Sequence, residues 1–310
     1  MNMLALLLAA SLVVQEAEQS PPTQLPDVTV TAQRNVDTAR RFVSRVAAPA
    51  PRRGLARWRS VCAAVANLHR DVAQPIADRL GNRAVDLGIK VEGPGCDANL
   101  IVIFSADARS VAQALVRADP DVFRPGTSGT DRGAAALRDF QDTDRPVRWW
   151  TLSIPINSDT GRRAVRAPGD PTGGPMPPRI AAVLGCDQPA DCAVAPIVQT
   201  NVSSRLNSQV VDQIYKSIVI VDIDDVIGLG ADQLGDYLAM VTLAQIDPQA
   251  DTAAFDTVLN LFSQPDQIAG LSEWDRSYLW ALYNSRSRRS HANAQAEAVA
   301  ALMNRAPADD

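Results

Sequence analysis

The spacing of apolar residues changes several times along the chain, and each change marks an element. Val36, Phe42, Val43 and Val46 line one face of an amphipathic helix over about residues 36–47, which Pro49 and Pro51 stop. Residues 58–64 read as a strand ending near Cys62. Val72, Ile76, Leu80, Ala84 and Leu87 recur every three or four positions, so residues 71–87 read as a helix closed by Gly88. A short strand at 89–91, a wholly apolar strand at 99–104 and a helix at 107–117 follow. Together, residues 36–118 are expected to form a compact α+β subdomain.

Beyond it the pattern loosens. Residues 119–147 read as irregular with one short helix. Residues 148–156 form a strand that is aromatic at one end. Residues 157–197 hold Pro168, Pro171, Gly173, Gly174, Pro175, Pro177 and Pro178, and read as a long loop. Strands are expected at 200–206 and 216–222, the second of them central because Ser-Ile-Val-Ile-Val carries no charge. Helix periodicity returns at 232–245 with Leu234, Leu238 and Val241 on one face and Tyr237 beside them; strand 217–222 is the expected packing partner. A turn at 257–262, a helix from Ser272 to Tyr283 and an Ala-rich helix over 290–305 complete the reading. The fold class is α+β, a mixed sheet with flanking helices, and residues 119–310 are expected to form its second domain.

The N-terminus changes the cellular picture. An apolar run over residues 3–14 is shorter than the roughly 20 residues that span a bilayer, and its length suits the core of a signal peptide ending near Ala17. The n-region carries no Lys or Arg, so a buried N-terminal helix is the rival reading. Residues 18–35 are an extended arm, of which Asp27-Val-Thr-Val-Thr-Ala-Gln33 resembles the segment near the mature start of TonB-dependent outer-membrane receptors. The mature chain is expected to be periplasmic or secreted, without a transmembrane segment. Its partner would be another periplasmic or outer-membrane protein.

Composition agrees with a globular, non-nucleic-acid role. Apolar residues make up 46% of the 310 residues, the net charge is −5 and the pI is about 5.1. A nucleic-acid binder needs surplus positive charge to neutralise phosphates. The four cysteines allow three pairings. The local one joins Cys62 to Cys96 and Cys186 to Cys192, the latter around the turn-rich Asp187-Gln-Pro-Ala-Asp191. Chain-entropy arguments assign roughly 3–4 kcal/mol to the longer loop and about 2 kcal/mol to the shorter. Zinc thiolate sites usually space two cysteines two to four residues apart, which none of these are.

Catalytic signals are sparse. The two histidines, His69 and His291, fall in different regions, and no Walker loop, dinucleotide fingerprint or nucleophile elbow is present, so no cofactor is expected. Asp222, Asp224 and Asp225 follow the central strand, where carboxylates can meet a divalent cation; a solvated strand end is the alternative. Arg148, Trp149 and Trp150 are candidate binding residues. On a strand the two tryptophans face opposite ways, so one should enter the core while the other could anchor a ligand, with Arg148 offering a cation–π or anion contact.

The order of elements in the last third resembles a zinc-peptidase half-domain of the metzincin and matrixin kind. There a strand leads to a helix bearing His-Glu-x-x-His-x-x-Gly-x-x-His, followed by a Met-containing turn and a helix of the type Leu-Ser-x-x-Asp-x-x-x-Leu-x-x-Leu-Tyr. Here strand 217–222 leads to helix 232–245, to the turn Thr257-Val-Leu-Asn-Leu-Phe262 and to Leu271-Ser-Glu-Trp-Asp-Arg-Ser-Tyr-Leu-Trp-Ala-Leu-Tyr283. The metal motif departs from the family. In one register Asp236 and Met240 replace the helix histidines and Tyr237 the general base. In the other, Tyr237, Leu238 and Val241 take those places, Ala244 that of the glycine and Asp247 that of the third ligand. Neither offers the imidazoles that hold zinc. The resemblance therefore implies a scaffold without metal ligands, a pseudo-peptidase acting as a binding or accessory module. The alternative is a hydrolase using unrecognised carboxylates.

Overall fold

The computed structural model describes residues 36–125, 130–158, 164, 209–285 and 292–306. The expected signal segment 1–17, the arm 18–35, most of the loop 157–197, Cys186, Cys192, the strand at 200–206 and His291 lie outside the described residues.

In chain order the structure runs α1 (Val36–Val46), β1 (Ser60–Val61), β2 (Ala63–Ala66), α2 (Arg70–Asp86), β3 (Lys90–Val91), β4 (Leu100–Ser105), α3 (Ala108–Ala118), α4 (Pro120–Phe123), α5 (Ala134–Asp142), β5 (Val147–Asn157), β6 (Val210–Asp222), α6 (Ala231–Leu243), α7 (Glu273–Asn284) and α8 (Ala292–Met303). Short 3-10 turns occupy Asp224–Val226 and Val258–Asn260. The main sheet has the order β2-β4-β6-β5. The first three strands are parallel, and β5 runs antiparallel at the edge. β1 and β3 form a separate two-stranded pair. Helices plus this mixed sheet make the chain α+β.

Alternation along the strands divides the interior in two. Leu100, Val102, Trp149, Val219 and Val221 face a large core with α1, α2, α6, α7 and α8. Trp150, Leu152, Ile218 and Ile220 face a smaller one covered by α3, α4 and α5. β6 is buried on both faces, as its uncharged run requires. Strands from either side of residue 118 lie side by side here, β4 pairing with β6.

Several expectations shift. The region 119–147 holds two helices rather than one, because Pro120 at the first helical position has its φ already set for a turn. β6 begins at Val210, well before residue 216, since Val210, Asp212 and Ile214 alternate inward opposite the long β5. β6 lies between β4 and β5. The helix of residues 232–245 has no single apolar stripe: every residue from Leu234 to Ile246 is buried. It packs chiefly on α2, with the 3-10 turn at 258–260, α7 and β5 around it. Among the described residues, no helix is long and apolar enough to cross a membrane.

Cys62 and Cys96 are disulfide-bonded, with Cα atoms 6.1 Å apart. Asn99 reinforces the junction: its Oδ1 accepts from the Cys62 N–H at 2.8 Å, and its Nδ2 donates to the Ser60 carbonyl at 3.1 Å. Non-reducing tryptic digestion should therefore link the peptide 60–70 to the peptide 91–109, with a mass that separates only on reduction. Free thiols on both cysteines, or a Cys62–Cys186 link, would refute this pairing.

Candidate functional site

The candidate residues Arg148, Trp149 and Trp150 are all buried, at 2%, 8% and 3% exposure. Neither indole is a surface anchor, because β5 has a core on each face. Trp149 donates from Nε1 to the Ile246 carbonyl at 3.0 Å and stands edge-on to Tyr237. Trp150 donates to the Phe123 carbonyl at 2.8 Å and leans on Phe140. Arg148 reaches the C-terminal end of α5, where Nη1 donates to the carbonyls of Phe140 and Gln141 at 2.9 and 3.0 Å. A cation there meets carbonyls that the helix leaves unpaired.

The other side of β5 is the open edge of the sheet. The Asp222 N–H donates to the Pro146 carbonyl, so even-numbered positions bond to β6 and odd-numbered ones face outward. Ser153 uses its outward N–H on the Thr130 carbonyl at 2.9 Å, and the Pro155 carbonyl accepts from Ala164 at 2.8 Å. The main-chain groups of Trp149 and Thr151 point off the same edge, with no partner among the described residues.

A partly open pocket of about 20 Å³ lies along this edge. Arg132, Arg145, Arg148, Trp149, Trp150 and Gln245 all line it. Arg132 is neutralised by Asp247, Nη2 to Oδ1, at 3.0 Å. Among the described residues, no carboxylate lies within 4.0 Å of the Arg145 or Arg148 guanidinium. Burial lowers the pKa of Arg145, and burial followed by the charges of Arg145 and Arg109 lowers that of Arg148. Gln245 accepts from the Ala56 N–H through Oε1 at 2.8 Å, which leaves its Nε2 free to donate. The arrangement is a compact, electropositive recess with N–H donors, suited to an anionic group. Reading the sequence singled out Arg148 but not Arg145, three residues before it, nor Arg132 and Gln245, which are farther away in the chain.

The positions that stand for metal ligands are packed instead. The buried Asp236 carboxylate receives two hydrogen bonds from Arg79 (2.7 and 2.8 Å), two from Arg83 (2.8 and 3.1 Å) and one from the Leu271 N–H (2.9 Å). Burial pushes its pKa up, but these donors outweigh it and hold the group at about 2. Gly235 makes room, since a Cβ there would sit 2.8 Å from Arg79 Cγ. Tyr237 is buried between Trp149 and Phe262, and Met240 and Val241 are wholly enclosed. In the second register, Asp247 at the third-ligand position carries the Arg132 ion pair at the rim of the pocket.

The acidic run is spread along a strand end. Asp222 Oδ2 accepts from the Ala108 N–H at 3.2 Å and Oδ1 from the Asp224 N–H at 3.2 Å; Asp224 and Asp225 are exposed. His69 is an exposed neighbour of Asp71 at 3.3 Å. Among the described residues, no group of three or more His, Cys, Asp or Glu is arranged to hold a metal ion. No protein-family model, curated protein or solved structure matches the chain.

Proposed function

We propose that this chain is an exported, non-catalytic binding or accessory module built on a pseudo-peptidase scaffold, and that it binds through the arginine-lined pocket at the β5 edge. The observation that carries this reading is the packing of α6. Asp236, Tyr237, Met240 and Val241, which take the place of catalytic residues in one register or the other, are all spent on the interior. A zinc peptidase needs three ligands facing an open fourth position, and buried side chains cannot provide it. The succession of β6, α6, the turn at 258–260 and α7 supports the scaffold. The Cys62–Cys96 bridge supports an oxidising compartment, periplasmic or extracellular, because such bonds are rare where thiols are kept reduced. A partner there would be another envelope or outer-membrane protein.

The expected result is that protein purified from the periplasm carries no stoichiometric zinc and does not cleave casein or peptides, with or without added metal. Turnover abolished by a chelator would overturn the reading in favour of a hydrolase with carboxylate ligands such as Asp222, Asp224 and Asp225.

A further inference from the structure

We propose that the pocket at the β5 edge takes one small, singly charged anion, either chloride or the carboxylate of a one- or two-carbon acid. The inference deepens the binding reading above and rests on it. Charge is the first argument. Three guanidiniums line the pocket, and the one carboxylate paired with them, Asp247, serves Arg132. Arg145 and Arg148 have no counter-ion within 4.0 Å among the described residues. Arg148 is nearly fully enclosed, and its Nε has no hydrogen-bond partner among the described residues. Carboxylates act on them only at longer range, Asp139 and Asp247 on Arg145 and Asp144 and Asp222 on Arg148, so an anion held between the two guanidiniums would be their nearest counter-charge.

Donor geometry is the second argument. The two Trp149 and Trp150 indole N–H groups are already used on carbonyls. The Arg145 guanidinium and the Gln245 Nε2 are not used on any described residue, and both line the recess. Size is the third. About 20 Å³ holds roughly one water-sized sphere, enough for a halide or the head of a carboxylate. Trp149 and Trp150, held by packing in the two cores, wall the recess.

The test is the ³⁵Cl NMR line width of sodium chloride in the presence of the mature protein, read as the excess over buffer. Wild type should broaden the line beyond buffer, and formate or acetate added at equal ionic strength then reports which monoanion the site accepts. Arg145→Gln removes a charge from a half-buried side chain without a described partner, so the variant should keep the wild-type circular dichroism and lose the excess. Arg45→Gln, which breaks only an exposed pair with Asp251, should retain it. Formate and acetate that leave the excess unchanged assign the site to halide; their suppression of it assigns the site to the shared monoanion chemistry. The proposal is overturned if wild type shows no excess or if Arg145→Gln keeps it. None of these readouts depends on metal content or turnover, so their failure leaves the non-catalytic reading to its own test.

Discussion

Asp236→Asn should lower the stability of the folded chain by on the order of 3–5 kcal/mol, the cost of removing one partner from a buried ion pair. The carboxylate is 1% exposed and receives five hydrogen bonds, four of them from two arginines on α2. The Arg79 and Arg83 side chains are 29% and 20% exposed, so water can reach them once the charge is gone, which favours the lower end of that range. The substitution also frees the Leu271 N–H and loosens α2 from the segment leading into α7. Because the folded carboxylate is held near pH 2, below its ordinary value, its stabilisation is fully present above about pH 4–5. It is lost as pH falls through the folded value. Denaturant midpoints measured from pH 7 down to pH 2 should therefore converge for wild type and Asp236→Asn at the acid end. Two curves that stay parallel, or a variant as stable as wild type at pH 7, would show that the cluster does not hold α2 to α6. Arg79→Gln should cost less than Asp236→Asn, since Arg83 remains.

What the sequence showed of this fold follows from how local each signal is. α1, α2, β4, α3, α6 and α7 are read within a residue or two, because apolar spacing, Gly88 after α2 and the Ser272 cap of α7 act over one or two turns. The capping box at Ser272 and Asp275 closes within four residues and is visible as a string of letters. The Cys62–Cys96 pairing was legible for the same reason of proximity. Partners far apart in the chain were not. Nothing local says that Arg79 and Arg83 will meet Asp236, or that Arg132 and Arg145 will turn towards Gln245. The burial of α6 had a signal that went unused: from Gln233 to Ile246 its one charge is Asp236. A helix so sparingly charged belongs inside, with something waiting for that charge. Along β5 the exposure of the two tryptophans was not legible. Two adjacent tryptophans alternate across a strand whichever faces are covered, and only the presence of helices on both sides of β5 buries both.

Leu238→Ala should be nearly as severe, at about 2–5 kcal/mol, and its size reports on whether α6 is the central helix. Burying a leucine contributes about 1.5–3 kcal/mol, and truncating it adds a cavity term that depends on how far the walls relax. Leu238 is wholly buried, midway along a helix enclosed on every side. Its surroundings are tied in place. α2 is held by Asp236, the Trp58 indole donates to the Thr242 carbonyl at 2.7 Å, and the Tyr283 hydroxyl donates to the Leu243 carbonyl at 2.7 Å. Walls fixed in this way collapse poorly into a void, which puts the expected loss in the upper half of the range. Val85→Ala, on the exposed face of α2 at 60% exposure, should stay within about 0.5 kcal/mol and serves as the comparison. Denaturant unfolding with an unchanged slope would place the loss in the folded state. A Leu238→Ala variant as mild as Val85→Ala would mean that α6 is not packed on all sides. The interior placement of Asp236, Tyr237 and Met240, and with it the pseudo-peptidase reading, would then lose its structural basis.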